Sequence, residues 1–127
     1  MKSLRKTYDI NAPVARVWQA LVNPKDIVGW GAGPAKMSAK VDTSFSLWGG
    51  DIHGMNIEII PEKKLVQNWY GGKWPAPSIL TIALHEERGG TRIELTHTNV
   101  PDDEEEGIDE GWTGYYFGPM KEYLESK

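Results

Sequence analysis

Three histidines, six tryptophans and one dense run of carboxylates are the groups in this 127-residue sequence whose chemistry could make a site. Metal binding needs clustered His, Cys or carboxylate ligands at workable spacing. His53, His85 and His97 stand apart, and the absence of cysteine removes thiolate sites and disulfides. His85 and His97 flank the turn at Arg88-Gly89-Gly90. A turn centred between Gly89 and Gly90 sets His85 opposite residue 94 and keeps the two histidines apart, so no metal site is expected. Nucleophilic catalysis needs a Ser, Cys or Thr beside a positioned base. Ser44 and Ser46 read instead as ordinary outward strand residues. Gly71-Gly72-Lys73 runs into Trp74-Pro75 rather than into a helix, so it lacks the rest of a phosphate-cradling loop. One enzymatic reading stays open: His97 or Asp51 as a general base inside a cavity. No catalytic residue, metal or cofactor is assigned.

The carboxylates are local. Net charge is −4, yet residues 102–110 hold seven of the eighteen acids and no base; elsewhere fourteen bases face eleven acids, a net +3. Acids opening a helix suit the positive end of its dipole, so this run reads as a solvated helix start. No Lys/Arg stripe suggests a nucleic-acid partner. No apolar run approaches the about 20 residues of a membrane span, and the first residues lack a secretory signal, so the expected location is cytoplasmic. The tryptophans (Trp18, Trp30, Trp48, Trp69, Trp74 and Trp112) admit two readings. They can fill a core, because large rings bury much area, or they can wall a roomy apolar cavity. Composition does not separate these.

The elements that must position these groups are read from hydrophobic period. The length suits one domain over 1–127. Residues 3–10 form an opening strand. Asn11-Ala12-Pro13 starts a helix over 14–21, with Val14, Val17, Trp18 and Leu21 on one face. A short second helix covers 24–28 and stops at Gly29-Trp30-Gly31. From there the period is two. Phe45 and Leu47; Met55, Ile57 and Ile59; Leu65, Gln67 and Trp69; Leu80, Ile82 and Leu84; and Ile93 and Leu95 mark the inward faces of successive strands. Gly-rich and Pro-rich turns, with a loop over 71–77, join them into an antiparallel meander. Helical spacing returns over 104–126, where Ile108, Trp112, Tyr115, Tyr116 and Tyr123 share one side. Gly107, Gly111, Gly114 and Gly118 form a second stripe, expected well away from that apolar face. Each glycine costs about 0.8–1 kcal/mol against alanine in a helix, and Pro119 lacks an amide donor. A kink is expected near residues 115–118.

Strand, two short helices, antiparallel strands, long C-terminal helix: this α+β order is the helix-grip arrangement, a curved sheet wrapping the last helix. Four pieces carry a closer likeness. They are INAPVARVWQALVNP at 10–24, Phe45 followed by Gly54 and IEIIPEKKLVQNW at 57–69, GGTRIELTHTNVP at 89–101, and GWTGYYFGPMKEYLE at 111–125. Together they resemble the family of activators of heat-shock-protein-90 ATPase homologues, within the START-like superfamily. The resemblance implies a hydrophobic cavity between sheet and C-terminal helix, with no shared catalytic centre. It also implies a chaperone as one class of partner. In the eukaryotic co-chaperones a domain of this kind is joined to an N-terminal domain supplying much of the chaperone contact, and nothing in this sequence corresponds to that part.

The expectation is therefore a non-catalytic domain that binds a small hydrophobic or amphipathic ligand. Its expected walls are Trp30, Phe45, Trp48, Met55, Trp69, Leu84, Leu95, Trp112, Tyr116 and Met120, with Gln67 and His97 as polar contacts. The alternative is a chaperone-regulating or protein-interaction module using the glycine stripe, the acidic run and the 71–77 loop. A small cavity enzyme is the third reading.

Overall fold

The computed structural model describes residues 2–71, 74 and 76–125, without the side chain of Glu105. Three residues of the 71–77 loop (Gly72, Lys73 and Pro75) lie outside that set. Six strands form one antiparallel sheet in the order β1-β6-β5-β4-β3-β2: β1 Lys2–Ile10, β2 Ser44–Leu47, β3 Ile52–Ile60, β4 Lys64–Gly71, β5 Ser78–Glu87 and β6 Gly90–Val100. Helices α1 (Val14–Val22) and α2 (Pro24–Trp30) follow β1, and a helical C-terminal segment covers the sheet's inner face. This is the helix-grip fold. No described helix is long and apolar enough to cross a membrane.

The core is made where period-two faces meet the helices. Phe45, Leu47, Leu65, Trp69, Leu80, Ile82, Leu84, Ile93 and Leu95 are all buried on the inner face. Helix α1 adds Val17, Trp18 and Leu21 and packs on β5 and β6. Helix α2 runs two residues further than its apolar pattern indicates. Gly31 in the left-handed conformation (φ 111°) closes it, and Asn23 caps its start by accepting from the Lys25 amide at 3.0 Å. Trp30 then turns inward, its indole donating to the Ala20 carbonyl at 2.8 Å, which binds α2 to α1.

Two strand expectations need correcting. Glu87 pairs with Gly90, so the β5–β6 turn is Arg88-Gly89, both at positive φ (50° and 83°), the twist-matched form of a two-residue hairpin. His85 accordingly faces Arg92, and His97 faces Leu80. In β3 the expected inward set, Met55, Ile57 and Ile59, is displaced by a β-bulge. Asn56 pairs with Gln67 and Glu58 with Val66, leaving Ile57 unopposed. One extra residue inverts the alternation: Gly54 and Asn56 point inward before the bulge and Ile59 after it, while Met55 and Ile57 are exposed.

The C-terminal segment is three pieces. Helix α3 spans Glu105–Gly111, a π-helical turn spans Trp112–Phe117, and α4 spans Gly118–Glu125. The Gly118 amide bonds the Thr113 carbonyl, five residues back. The interruption falls where Pro119 lacks its donor and its ring would press on the carbonyl four residues earlier. The extra residue of the wide turn rotates the wheel. Phe117 is buried against Tyr8 (4.7 Å between ring centroids), and Tyr115, expected on the packed face, is 72% exposed.

The four glycines are therefore not equivalent. A Cβ on Gly118 would run into the Thr113 carbonyl oxygen, whereas one on Gly107 meets nothing within 4 Å. Gly118→Ala should lower unfolding free energy by about 1–3 kcal/mol. Gly107→Ala should raise it by up to about 1 kcal/mol. Urea denaturation of the two variants checks the contrast; equal effects would refute it.

Candidate functional site

A cleft of ≈ 360 Å³ lies between the start of α3 and the turn joining β2 to β3. One wall is Gly107, Ile108 and Gly111; the other is Trp48, Asp51 and Ile52. Trp69, Trp112 and Tyr116, all buried, form the floor, and exposed Tyr115 stands at the mouth. The glycine stripe thus borders the apolar face rather than lying well away from it. Without side chains at 107 and 111, the helix leaves open the space opposite Trp48. That indole is itself held: its N–H donates to the Gly31 carbonyl at 3.1 Å, and its amide bonds the Ala32 carbonyl at 2.8 Å.

The aromatic floor is tied together by rings. Trp112 stacks on Trp69 at 4.9 Å and meets Tyr116 edge-on at 4.8 Å, and Tyr116 leans on Trp30 at 4.7 Å. Beneath it runs a polar chain. The Trp112 indole donates to His97 Nδ1 at 3.3 Å, which assigns the imidazole proton to Nε2. Nε2 then donates to Ser78 Oγ at 2.7 Å, and Ser78 donates to the Trp69 carbonyl at 3.0 Å. From the Trp69 indole a second chain runs through Gln67 to Asn56, which donates to the Ser38 carbonyl at 2.9 Å. Among the described residues no buried side-chain nitrogen or oxygen lacks a partner. Burial holds His97 neutral by lowering its pKa to about 4.

Of the twelve expected site residues, Trp48, Trp69, Trp112 and Tyr116 line the cleft. Trp30, Phe45, Leu84, Leu95 and Met120 are core residues beyond it, and Gln67 and His97 are spent on the network below. Met55 is on the outer face because of the bulge. The sequence reading left Asp51, Ile52, Gly107, Ile108, Gly111 and Tyr115 out of the ligand site. The glycine stripe was the one signal for them, since a helix face without side chains can wall a space. As a general base His97 has both nitrogens engaged, while Asp51 is exposed. His53 stacks on Tyr70 at 5.3 Å and His85 lies 3.4 Å from Glu94. No group of three or more His, Cys, Asp or Glu among the described residues is placed to hold a metal ion.

A family model described as Activator of Hsp90 ATPase homolog 1-like protein matches residues 11–125. The human Activator of 90 kDa heat shock protein ATPase homolog 1 is 31% identical over 70% of this chain. The aligned part is 27% of the human protein, so the chain spans about a quarter of that relative. Among solved structures, an HSP90 activator from Plasmodium falciparum superposes with TM-score 0.85 at 25% identity, covering 93% of this chain and 92% of the other. The solution structure of an Aha1 dimer from Colwellia psychrerythraea superposes equally well (0.85) at 19% identity, covering 98% and 97%.

The buried histidine makes a pH prediction. An unfolded histidine takes up its proton near pH 6.5, the folded one only near pH 4. Within that window the unfolded chain binds more protons, so stability falls as pH falls. The loss is about 3 kcal/mol across the window and is absent above it. Imidazole NMR should find His97 as the neutral Nε2–H tautomer at pH 6, titrating near pH 4. A midpoint at or above 6.5 would contradict the buried network.

Proposed function

The chain belongs to the Activator of Hsp90 ATPase homolog 1-like family, and on that premise we propose that it binds a small apolar or amphipathic ligand in the cleft beside α3. The observation that carries this reading is the cleft itself. At ≈ 360 Å³ it falls within the size of small-molecule pockets, about 300–1,000 Å³. It is walled by rings and glycines, with Asp51 the one charged residue among the described residues of its lining. Pockets that hold small molecules share that composition, mostly apolar with few placed polar groups. Binding there needs no reacting group, in keeping with a domain that carries or senses a ligand. A cytoplasmic setting accompanies this reading.

Three indoles border the space, so its occupancy should change tryptophan emission. Titration with N-phenyl-1-naphthylamine, a neutral apolar probe, should quench that emission saturably. Gly107→Leu projects a side chain into the open space at the wall and should weaken the probe by about tenfold or more without loss of stability. An unsaturable response, or one that Gly107→Leu leaves unchanged, counts against the cleft.

A second reading, regulation of an Hsp90-type chaperone, is favoured by the names of the human and Plasmodium relatives. Its contact surfaces would be the exposed acidic turn at Asp102–Glu104 and the solvent side of α3. Added to an Hsp90 ATPase assay, the chain should raise the hydrolysis rate. An unchanged rate removes this reading and leaves the cleft proposal standing.

A further inference from the structure

The charges around the cleft are one-sided. Asp51 is exposed in its wall, and among the described residues no lysine, arginine or histidine lines it. Asp51 forms no ion pair with a described residue. Helix α3, which makes the opposite wall, also carries Glu106 and Glu110 on its exposed surface without ion-pair partners among the described residues. The carboxylate of Asp109 on the same helix is engaged, by Lys6 at 2.7 Å. Among the described residues, an anion entering this cleft would meet only like charge.

The rings add to that bias. Trp48, Trp69, Trp112, Tyr115 and Tyr116 border one small space. Aromatic faces carry negative charge density and attract cations placed within about 6 Å of the ring centre. A third feature is polar. Tyr116 is only 2% exposed, yet no hydrogen bond joins its hydroxyl to a described residue. Tyr116 is one of the residues that line the cleft. A phenol oxygen there can accept a hydrogen bond from an ammonium N–H.

Resting on the cleft as the ligand site, we propose that it selects an organic cation with an apolar body, an alkyl- or arylammonium. The charge sits beside Asp51, and the hydrocarbon lies against Trp69 and Trp112. The carboxylate supplies the sign of the preference and the rings supply most of the contact. Neutral molecules of the same shape then bind more weakly, and anions more weakly still. High salt narrows the differences, because the carboxylate is exposed and screened.

Three probes of one skeleton test this: 4-phenylbutylammonium, 4-phenylbutanol and 4-phenylbutyrate, followed by tryptophan emission in the full chain. The ammonium compound should bind roughly tenfold more tightly than the alcohol, with the carboxylate weakest. Asp51→Asn, an exposed position without an ion pair, should bring the ammonium compound down to the alcohol's affinity and leave the alcohol unchanged. Circular dichroism confirms that the variant is folded. If the alcohol or the carboxylate binds as tightly as the amine, the cation preference is overturned and the cleft remains a ligand site. If all three fail while N-phenyl-1-naphthylamine titrates, the preference is likewise overturned. If none of the four binds, the cleft reading itself falls and takes this inference with it.

Discussion

The stack of Trp112 on Trp69 is the contact on which the rest of the molecule depends. Trp69 belongs to β4, near the middle of the sheet, and Trp112 opens the π-helical turn. Their rings lie 4.9 Å apart at 27°, and both are nearly inaccessible. Removing a buried ring of this size costs about 3–5 kcal/mol, against a whole-domain stability of about 5–15 kcal/mol. The indole N–H of Trp112 also ends on His97, which turns a non-directional contact into a fixed orientation. A protonated imidazole would present a donor to that donor. The position of the C-terminal helix is therefore coupled to the charge on one buried histidine, and burial keeps that charge off.

The irregular helix follows from this anchor. Trp112, Tyr116 and Phe117 must all face the sheet, and regular winding must be broken to accommodate Pro119, which has no amide to donate and whose ring presses on the carbonyl four residues earlier. A wide turn inserts one residue into the spacing and meets both demands. Gly118 is the local requirement for it, since the Thr113 carbonyl occupies the space a side chain would need. Outside the aromatic face the helix is secured by polar contacts to β1 and α2. Lys6 pairs with Asp109 at 2.7 Å, Tyr8 meets Thr113 at 2.9 Å and Tyr123 donates to Asp26 at 2.6 Å.

Much of this was legible in the sequence wherever one physical rule acted alone. Alternation in β2, β4, β5 and β6 named the inward residues correctly, because the stretches of those strands that carry them keep one register with their neighbours; the shift in the β1–β6 ladder falls beyond Leu95. β3 misled for a local reason: a bulge at Ile57 leaves no mark in the hydrophobic pattern, and Met55 was placed inside on a parity that reverses there. The C-terminal segment was recognisable as a weak, broken helix from its glycines and Pro119, yet its exact winding was not. That winding is why Phe117 went unnamed and Tyr115 was set on the wrong side. The site suffered most. A list of large apolar residues describes a core and a cavity equally well, and seven of the twelve expected residues are core or buried network. What separates the two is where atoms are missing, and missing atoms show in a sequence only as glycine.

Gly107 and Gly111 make that point energetically. In a helix whose neighbours are Ile108 and Trp112, alanine or leucine at those positions would favour the helix by about 0.8–1 kcal/mol each. The same side chains would occupy the space between α3 and Trp48. The poor intrinsic helicity of α3 and the existence of the cleft are thus one feature seen from two sides. The aromatic floor supplies the compensation. Trp112, Tyr116 and Phe117 hold the segment from the side facing the sheet, so the side facing Trp48 can stay bare.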